Sequence, residues 1–83
     1  MTDQQIPVEV STRIERVFAS VFQGSVPFDS ALSRADEPQW TSLAHVEFLI
    51  ALEQEFDVRF DGADAIDMIS ISSVIERVRQ KLQ

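Results

Sequence analysis

The residues with the clearest chemical potential stand at the start of a helical segment. Thr41 and Ser42 precede an apolar run, and His45 follows Ser42 by three positions. A hydroxyl at a helix N-terminus lies beside backbone N–H groups without a helical partner and beside the positive end of the helix dipole. This environment suits a phosphate ester, so Ser42 is a candidate modification site, whereas its simpler role, shared with Thr41, is to cap the helix.

Ser42 and His45 also raise the question of a Ser–His hydrolase, because side chains three apart on a helix can approach one another. The sequence offers no nucleophile elbow, no oxyanion-hole loop and no third residue spaced to orient His45. We therefore expect no catalytic residue in this chain. We expect His45 to be solvated or to face a partner.

The apolar spacing predicts an all-α fold with three main helices and one short helix. Apolar residues recur every three or four positions in segments 8–22, 43–56 and 71–82. A turn at Asp61 and Gly62 leads into the short third helix, which ends near Met68. In the second helix, Val46, Leu49, Leu52 or Glu53, and Phe56 follow the period, which predicts that they face the interior. The apolar arc is wide, so the helix is either buried over most of its circumference or buries one face and offers Ile50 or Leu43 to a partner.

The connection between the first and second helices, residues 23–41, has no sustained apolar period. Connections of this length are uncommon in small domains and tend to be functional. Trp40, near the end of the connection, is large enough to anchor it against the helices. We therefore expect a long ordered loop that leads directly to Ser42.

The composition describes one small domain spanning residues 1–83. Seven basic and 14 acidic residues give a net charge of −7, which disfavours nucleic-acid binding, and the absence of cysteine excludes disulfides and thiolate metal sites. The N-terminus lacks the features of a signal peptide, and no apolar run approaches the roughly 18 residues of a membrane span. We expect a cytoplasmic monomer with neither a nucleic-acid nor a membrane partner.

Negative charge is concentrated from the second helix onward. Six acidic residues and no Lys or Arg lie between Arg34 and Arg59, and aspartates follow at positions 61, 64 and 67. Such an acidic stripe is either an ordinary solvated face or a surface that steers the protein onto basic partners. The aspartates do not have the spacing of a calcium-binding EF-hand loop, so no metal site is predicted.

Residues 40–58 carry a resemblance to a known family. They read WTSLAHVEFLIALEQEFDV, which is similar to the acyl carrier protein family, whose attachment motif is Asp-Ser-Leu followed by an acidic helix of the form ALEEEF. Residues 69–71, with Val74 and Val78, resemble the start of the family's last helix. The resemblance covers nearly the whole chain.

The resemblance implies a small four-helix bundle in which Ser42 bears a covalent 4′-phosphopantetheine arm. The thiol of the arm carries acyl groups as thioesters, which accounts for acyl chemistry on a chain without cysteine. The implied partners are a phosphopantetheinyl transferase and acyl-transferring or condensing enzymes with basic docking patches. The implied docking residues on the second helix are Leu43, Glu47, Ile50 and Glu53.

Thr41 departs from the family pattern, in which Asp usually precedes the serine. Threonine caps a helix but lacks the negative charge that a transferase uses for orientation or metal contact. Two hypotheses therefore stay open: a carrier modified on Ser42, or a carrier-like module that binds partners and is never modified. Trp40 resembles the tryptophan of a subset of stand-alone carriers, many of which belong to specialised pathways.

Overall fold

The computed structural model describes residues 5–83, with side chains from residue 9 onward. This part of the chain forms four α-helices, and α1 packs against both α2 and α4. The predicted all-α class, with three main helices and one short helix, is confirmed. Residues 1–4 of the predicted single domain lie outside the described residues. The helices are α1 (Gln5–Phe22), α2 (Ser42–Phe56), α3 (Gly62–Asp67) and α4 (Ile71–Lys81).

Residues in the left-handed conformation end both long helices. After α1, Gln23 and Gly24 have φ values of 54° and 73°, and the Gly24 N–H donates to the Ala19 carbonyl at 3.0 Å. After α2, Asp57 has a φ of 56°. Such residues close the last helical turn and redirect the chain. None of the described helices is both long and apolar enough to span a membrane.

The core is an aromatic cluster around Phe18. The ring centroids of Phe22, Phe28, Trp40 and Phe48 lie 4.5, 5.5, 6.1 and 5.5 Å from that of Phe18. Trp40 is 2% exposed, so it anchors the end of the loop as predicted. Aliphatic side chains from the three main helices surround the cluster: Val10, Ile14, Val17, Leu49, Leu52, Ile71, Val74 and Val78.

Backbone hydrogen bonds tie the long loop to the start of α4. The Arg34 N–H donates to the Ile69 carbonyl at 2.8 Å, and the Ile71 N–H donates to the Leu32 carbonyl at 3.0 Å. These two bonds form an isolated antiparallel bridge between Ser33 and Ser70, which we call the loop bridge. A 3-10 turn, Arg34–Asp36, follows at once. The predicted ordered loop is thus fixed by contacts distant in sequence.

The buried face of α2 differs from the predicted one at its N-terminal end. Leu49, Leu52 and Phe56 are buried as expected, but Val46 is 52% exposed. His45 and Phe48 are buried instead. They belong to the same face as Leu52 and Phe56, because positions 45, 48, 52 and 56 also follow spacings of three and four. An apolar arc this wide allows two registers, and the structure adopts the one that buries His45.

Candidate functional site

Ser42 is the first residue of α2, and its side chain is exposed. The cap of the helix is Thr41, whose Oγ1 accepts a hydrogen bond from the Ala44 N–H at 3.1 Å. Sequence alone left the cap open between these two residues. Because Thr41 supplies it, the Ser42 hydroxyl does not act as the cap of its own helix.

Arg34 holds the Ser42 hydroxyl from the loop. Its Nη2 donates to Ser42 Oγ at 2.9 Å, and its Nε donates to the Trp40 carbonyl at 3.2 Å. The guanidinium fork thus spans the two sides of Thr41 and joins the 3-10 turn to the start of α2. Sequence reasoning missed Arg34, since the contact depends on the loop bridge and on no local spacing.

His45 is buried and hydrogen-bonded through both ring nitrogens, so its predicted solvated or partner-facing position is wrong. Its Nδ1 accepts from Trp40 Nε1–H at 3.0 Å, and its Nε2 lies 2.9 Å from the Ala65 carbonyl. These partners assign the tautomer with hydrogen on Nε2, since an indole only donates and a carbonyl only accepts. Neither nitrogen is left to act on Ser42, which removes the geometric basis for a Ser–His hydrolase.

Three exposed apolar side chains form one face of α2. Leu43 is 67% exposed and Ile50 48% exposed, and Val46 lies between them on the same side of the helix. We call these three residues the α2 apolar face. Glu47 is also exposed and follows Leu43 by one helical turn. The structure therefore places three of the four predicted docking residues, Leu43, Glu47 and Ile50, on one side of α2. It adds Val46, which could have been predicted because it lies three positions after Leu43 and four before Ile50.

Glu53, the fourth predicted docking residue, is engaged within the protein. It is half-buried, and its Oε2 accepts the Phe60 N–H at 2.8 Å. Its carboxylate thus fixes the chain that follows α2. Glu47, by contrast, makes no hydrogen bond or ion pair with the side chains described from residue 9 onward, so its charge is directed to solvent.

Fewer of the acidic residues present unpaired charge to solvent than the sequence alone suggested. Asp64 is buried and paired with Arg77 and Lys81 of α4, and Arg77 also pairs with Asp67 at 2.9 Å. The Asp61 N–H first, then Lys81 and Arg77, lower the pKa of Asp64 from 3.8 to about 2 against the opposing effect of burial. The basic fourth helix therefore neutralises part of the predicted negative field.

The acidic side chains do not converge on a cation site. Within the described residues, no group of three or more His, Cys, Asp or Glu side chains could hold a metal ion. Glu55, another member of the stripe, accepts from Arg13 Nε at 2.8 Å. What the site presents is an exposed hydroxyl at a helix start, a guanidinium beside it and an apolar face further along the helix.

The described residues thus form a helical bundle with an exposed serine as the first residue of its second helix. An acyl carrier protein of Desulforapulum autotrophicum is 31% identical to this chain over 77 residues, covering 89% of this chain and 99% of that protein. The chain belongs to the acyl carrier protein family. Acyl carrier proteins are carriers without catalytic activity, so this protein carries and does not catalyse. No family model matches the chain, and no solved structure gives a significant match.

Proposed function

We propose that Ser42 carries a 4′-phosphopantetheine arm and that the α2 apolar face, with Glu47, presents the loaded arm to partner enzymes. The arm supplies the thiol on which acyl groups are held as thioesters. The cytoplasmic location expected from the sequence stays a prediction. The observation that carries the proposal is the position of Ser42, exposed at the first residue of α2 while Thr41 supplies the cap.

The surroundings of Ser42 fit a phosphate-linked group. The hydroxyl is exposed, so a transferase can reach it without unfolding the helix. The first backbone N–H groups of α2 have no partner within the helix, and together with the helix dipole they favour negative charge. Only the N–H of Ala44 is occupied by the Thr41 cap. The residues around Ser42 therefore fit the phosphate by which the arm would be attached.

The attachment step requires only the Ser42 oxygen from this chain. Oγ forms a bond to the phosphorus that joins the arm to the nucleotide half of coenzyme A, the phosphoanhydride bond breaks, and the nucleotide bisphosphate leaves. The hydroxyl proton passes to a base on the transferase, because His45 has both nitrogens occupied. The dependence on an external enzyme is consistent with a chain that carries no catalytic residue of its own.

Docking is proposed for Leu43, Val46, Glu47 and Ile50. An apolar centre beside an exposed carboxylate fits an enzyme surface with an apolar pocket and a basic rim, the kind of partner expected from the sequence. The net charge of −7 adds long-range steering toward such a surface. Glu53 remains a proposed docking residue, but its hydrogen bond to Phe60 makes it a poor choice for a direct test.

The intact mass of the protein after incubation with coenzyme A and a broad-specificity phosphopantetheinyl transferase tests the attachment. Wild-type protein should gain the mass of one phosphopantetheine, and Ser42→Ala should gain none. Ser30→Ala is the matched control, because Ser30 is an exposed serine of the preceding loop and should not affect the gain.

If neither folded wild-type protein nor folded Thr41→Asp gains mass, the proposed attachment is overturned and the unmodified binding module is favoured. Thr41→Asp separates two causes of a missing gain in wild type, since it restores the acidic residue that usually precedes the serine in the family. Gain of the arm by Thr41→Asp alone would show that this transferase fails to recognise the wild-type chain. Failure of both proteins would leave partner binding as the function to pursue.

A further inference from the structure

The guanidinium of Arg34 is a half-buried cation whose partners in the described structure are neutral. It donates to the Ser42 hydroxyl and to the Trp40 carbonyl, and no carboxylate described from residue 9 onward forms an ion pair with it. In a chain with twice as many acidic as basic residues, a cation without an acidic partner is unexpected. Its charge is therefore available to an anion that reaches Ser42.

The two carboxylates nearest to Arg34 in sequence are engaged elsewhere. Asp36 Oδ2 accepts from the Ser33 hydroxyl at 3.0 Å, and Glu37 Oε2 accepts from the Gln39 N–H at 2.9 Å. Both residues line the same open groove as Arg34, yet their hydrogen bonds stabilise the turns of the loop. The loop thus keeps its acidic side chains occupied while the guanidinium faces the start of α2.

The position of Arg34 is fixed before any ligand arrives. Its backbone N–H is held by Ile69 in the loop bridge, and its carbonyl accepts from the Glu37 N–H at 3.2 Å in the 3-10 turn. Its side chain is held by the Nε–H bond to the Trp40 carbonyl. A cation fixed in this way loses little conformational entropy when it binds an anion.

We propose that Arg34 binds the phosphodiester at the root of the arm, an inference that rests on the proposed attachment to Ser42. When Oγ becomes an ester oxygen, the two non-bridging phosphate oxygens lie two bonds beyond it, within reach of the same guanidinium nitrogens. Arginine donates to phosphate oxygens through two N–H groups at once, and such charge-assisted bonds are about twice as strong as neutral ones. Arg34 is then a binding residue for the arm, contributed by the loop.

Thr41 supports this assignment. The guanidinium bonds to residues on both sides of position 41, so a carboxylate at this position would compete with the phosphate for Arg34. Threonine keeps the cap through Oγ1 and brings no charge. Because position 41 holds threonine and not the aspartate usual in the family, no charge at this position competes with the phosphate for Arg34.

The test compares the modified and unmodified forms of wild type, Arg34→Gln, Arg34→Lys and Arg16→Gln. Arg16 is an exposed residue of α1, so Arg16→Gln makes the same charge change away from Ser42. The phosphorus-31 resonance of modified wild type and Arg16→Gln should coincide, and that of Arg34→Gln should move toward free phosphopantetheine. Modification should raise the melting temperature of wild type by about 3 to 6 °C more than that of Arg34→Gln.

Two further measurements do not depend on how well Arg34→Gln folds: the phosphorus-31 resonance of Arg34→Lys, and that of wild type at increasing salt concentration. Lysine keeps the charge but not the fork, so Arg34→Lys should show an intermediate phosphorus resonance. In modified wild type, added salt should move the resonance toward that of free phosphopantetheine.

The failures of the two proposals are distinguishable. No mass gain by either folded wild-type protein or folded Thr41→Asp would overturn the attachment, and this inference with it. Normal attachment with the same phosphorus resonance and the same melting shift in all four proteins would overturn the role of Arg34 alone.

Discussion

The indole Nε1–H of Trp40 donates to Nδ1 of His45 at 3.0 Å, and both side chains are buried. Nε2 of the same ring continues the connection to the Ala65 carbonyl of α3 at 2.9 Å. One imidazole thereby links the end of the loop, the first turn of α2 and the short third helix. Buried polar groups contribute to stability only while each keeps its partner.

His45→Ala should destabilise the protein by about 2 to 4 kcal/mol, because it leaves the Trp40 N–H and the Ala65 carbonyl without their partner. Trp40→Phe removes the donor alone, and a double-mutant cycle between the two positions should give a coupling of about 1 kcal/mol. Urea unfolding followed by circular dichroism measures both. Gln54→Ala, at an exposed position of the same helix, should change stability by less than about 0.5 kcal/mol. Additive effects at positions 40 and 45 would contradict the proposed bond.

The ion pairs of Asp64 predict an acid-sensitive contribution to stability. The pKa of this carboxyl falls from 3.8 in its ordinary state to about 2 in the fold. The unfolded chain therefore takes up the proton first, so the stabilisation is complete above about pH 4 and is lost as the pH falls toward about 2. Wild type should unfold at a higher urea concentration than Asp64→Asn above about pH 4. The difference between their unfolding midpoints should shrink as the pH falls from about 4 to about 2. Glu15→Gln, at an exposed position of α1, is the control, and its unfolding midpoint should change with pH in the same way as that of wild type.

Glu47 and Glu53 should give different kinds of defect. Glu47→Lys reverses an exposed charge, so we expect loading by the transferase to slow by about 5- to 10-fold at low salt, with unchanged stability. Glu53→Gln weakens the acceptor for the Phe60 N–H, so it should lower stability by about 1 kcal/mol. Intact-mass measurements on reactions quenched at successive times give the loading rate, and urea unfolding gives the stability. Glu15→Lys controls for total charge, and equal slowing by it would exclude a specific role for Glu47.

Thr41 and Ser42 should differ sharply in what they contribute to stability. Thr41→Ala removes the acceptor for the Ala44 N–H and should cost about 0.5 to 2 kcal/mol, whereas Thr41→Ser keeps the cap. Ser42→Ala removes an exposed hydroxyl and should change stability by less than about 0.5 kcal/mol. Thermal unfolding of the three variants checks this order. A larger loss in Ser42→Ala than in Thr41→Ala would show that the cap is assigned to the wrong residue.

The sequence predicted the helices well because their apolar residues repeat with the helical period. The segments 8–22, 43–56 and 71–82 correspond to α1, α2 and α4, with α1 beginning one turn earlier, at Gln5. The position of Ser42 at the start of α2 was also predictable, from the hydroxyl residues that precede an apolar run. These features depend on neighbours close in sequence, which a local pattern contains.

The contacts of the site were less predictable because they join residues through the fold. Arg34 reaches Ser42 only after the loop bridge has fixed the 3-10 turn, and nothing in residues 23–41 indicates that pairing with Ser70. The burial of His45 was missed because the wide apolar arc of α2 favoured Val46 as the buried residue. The separation of His45 from Leu49 and Leu52, four and seven positions, was the signal for the other register.

Trp40 gives this protein a built-in optical probe. The chain has one tryptophan and no tyrosine, so near-ultraviolet excitation above the phenylalanine band reaches a single indole, two positions before Ser42. That indole is packed against Phe18 and hydrogen-bonded to His45. Its emission therefore reports on one defined junction between loop and helix, and loading, docking or unfolding at this junction can be followed without a label.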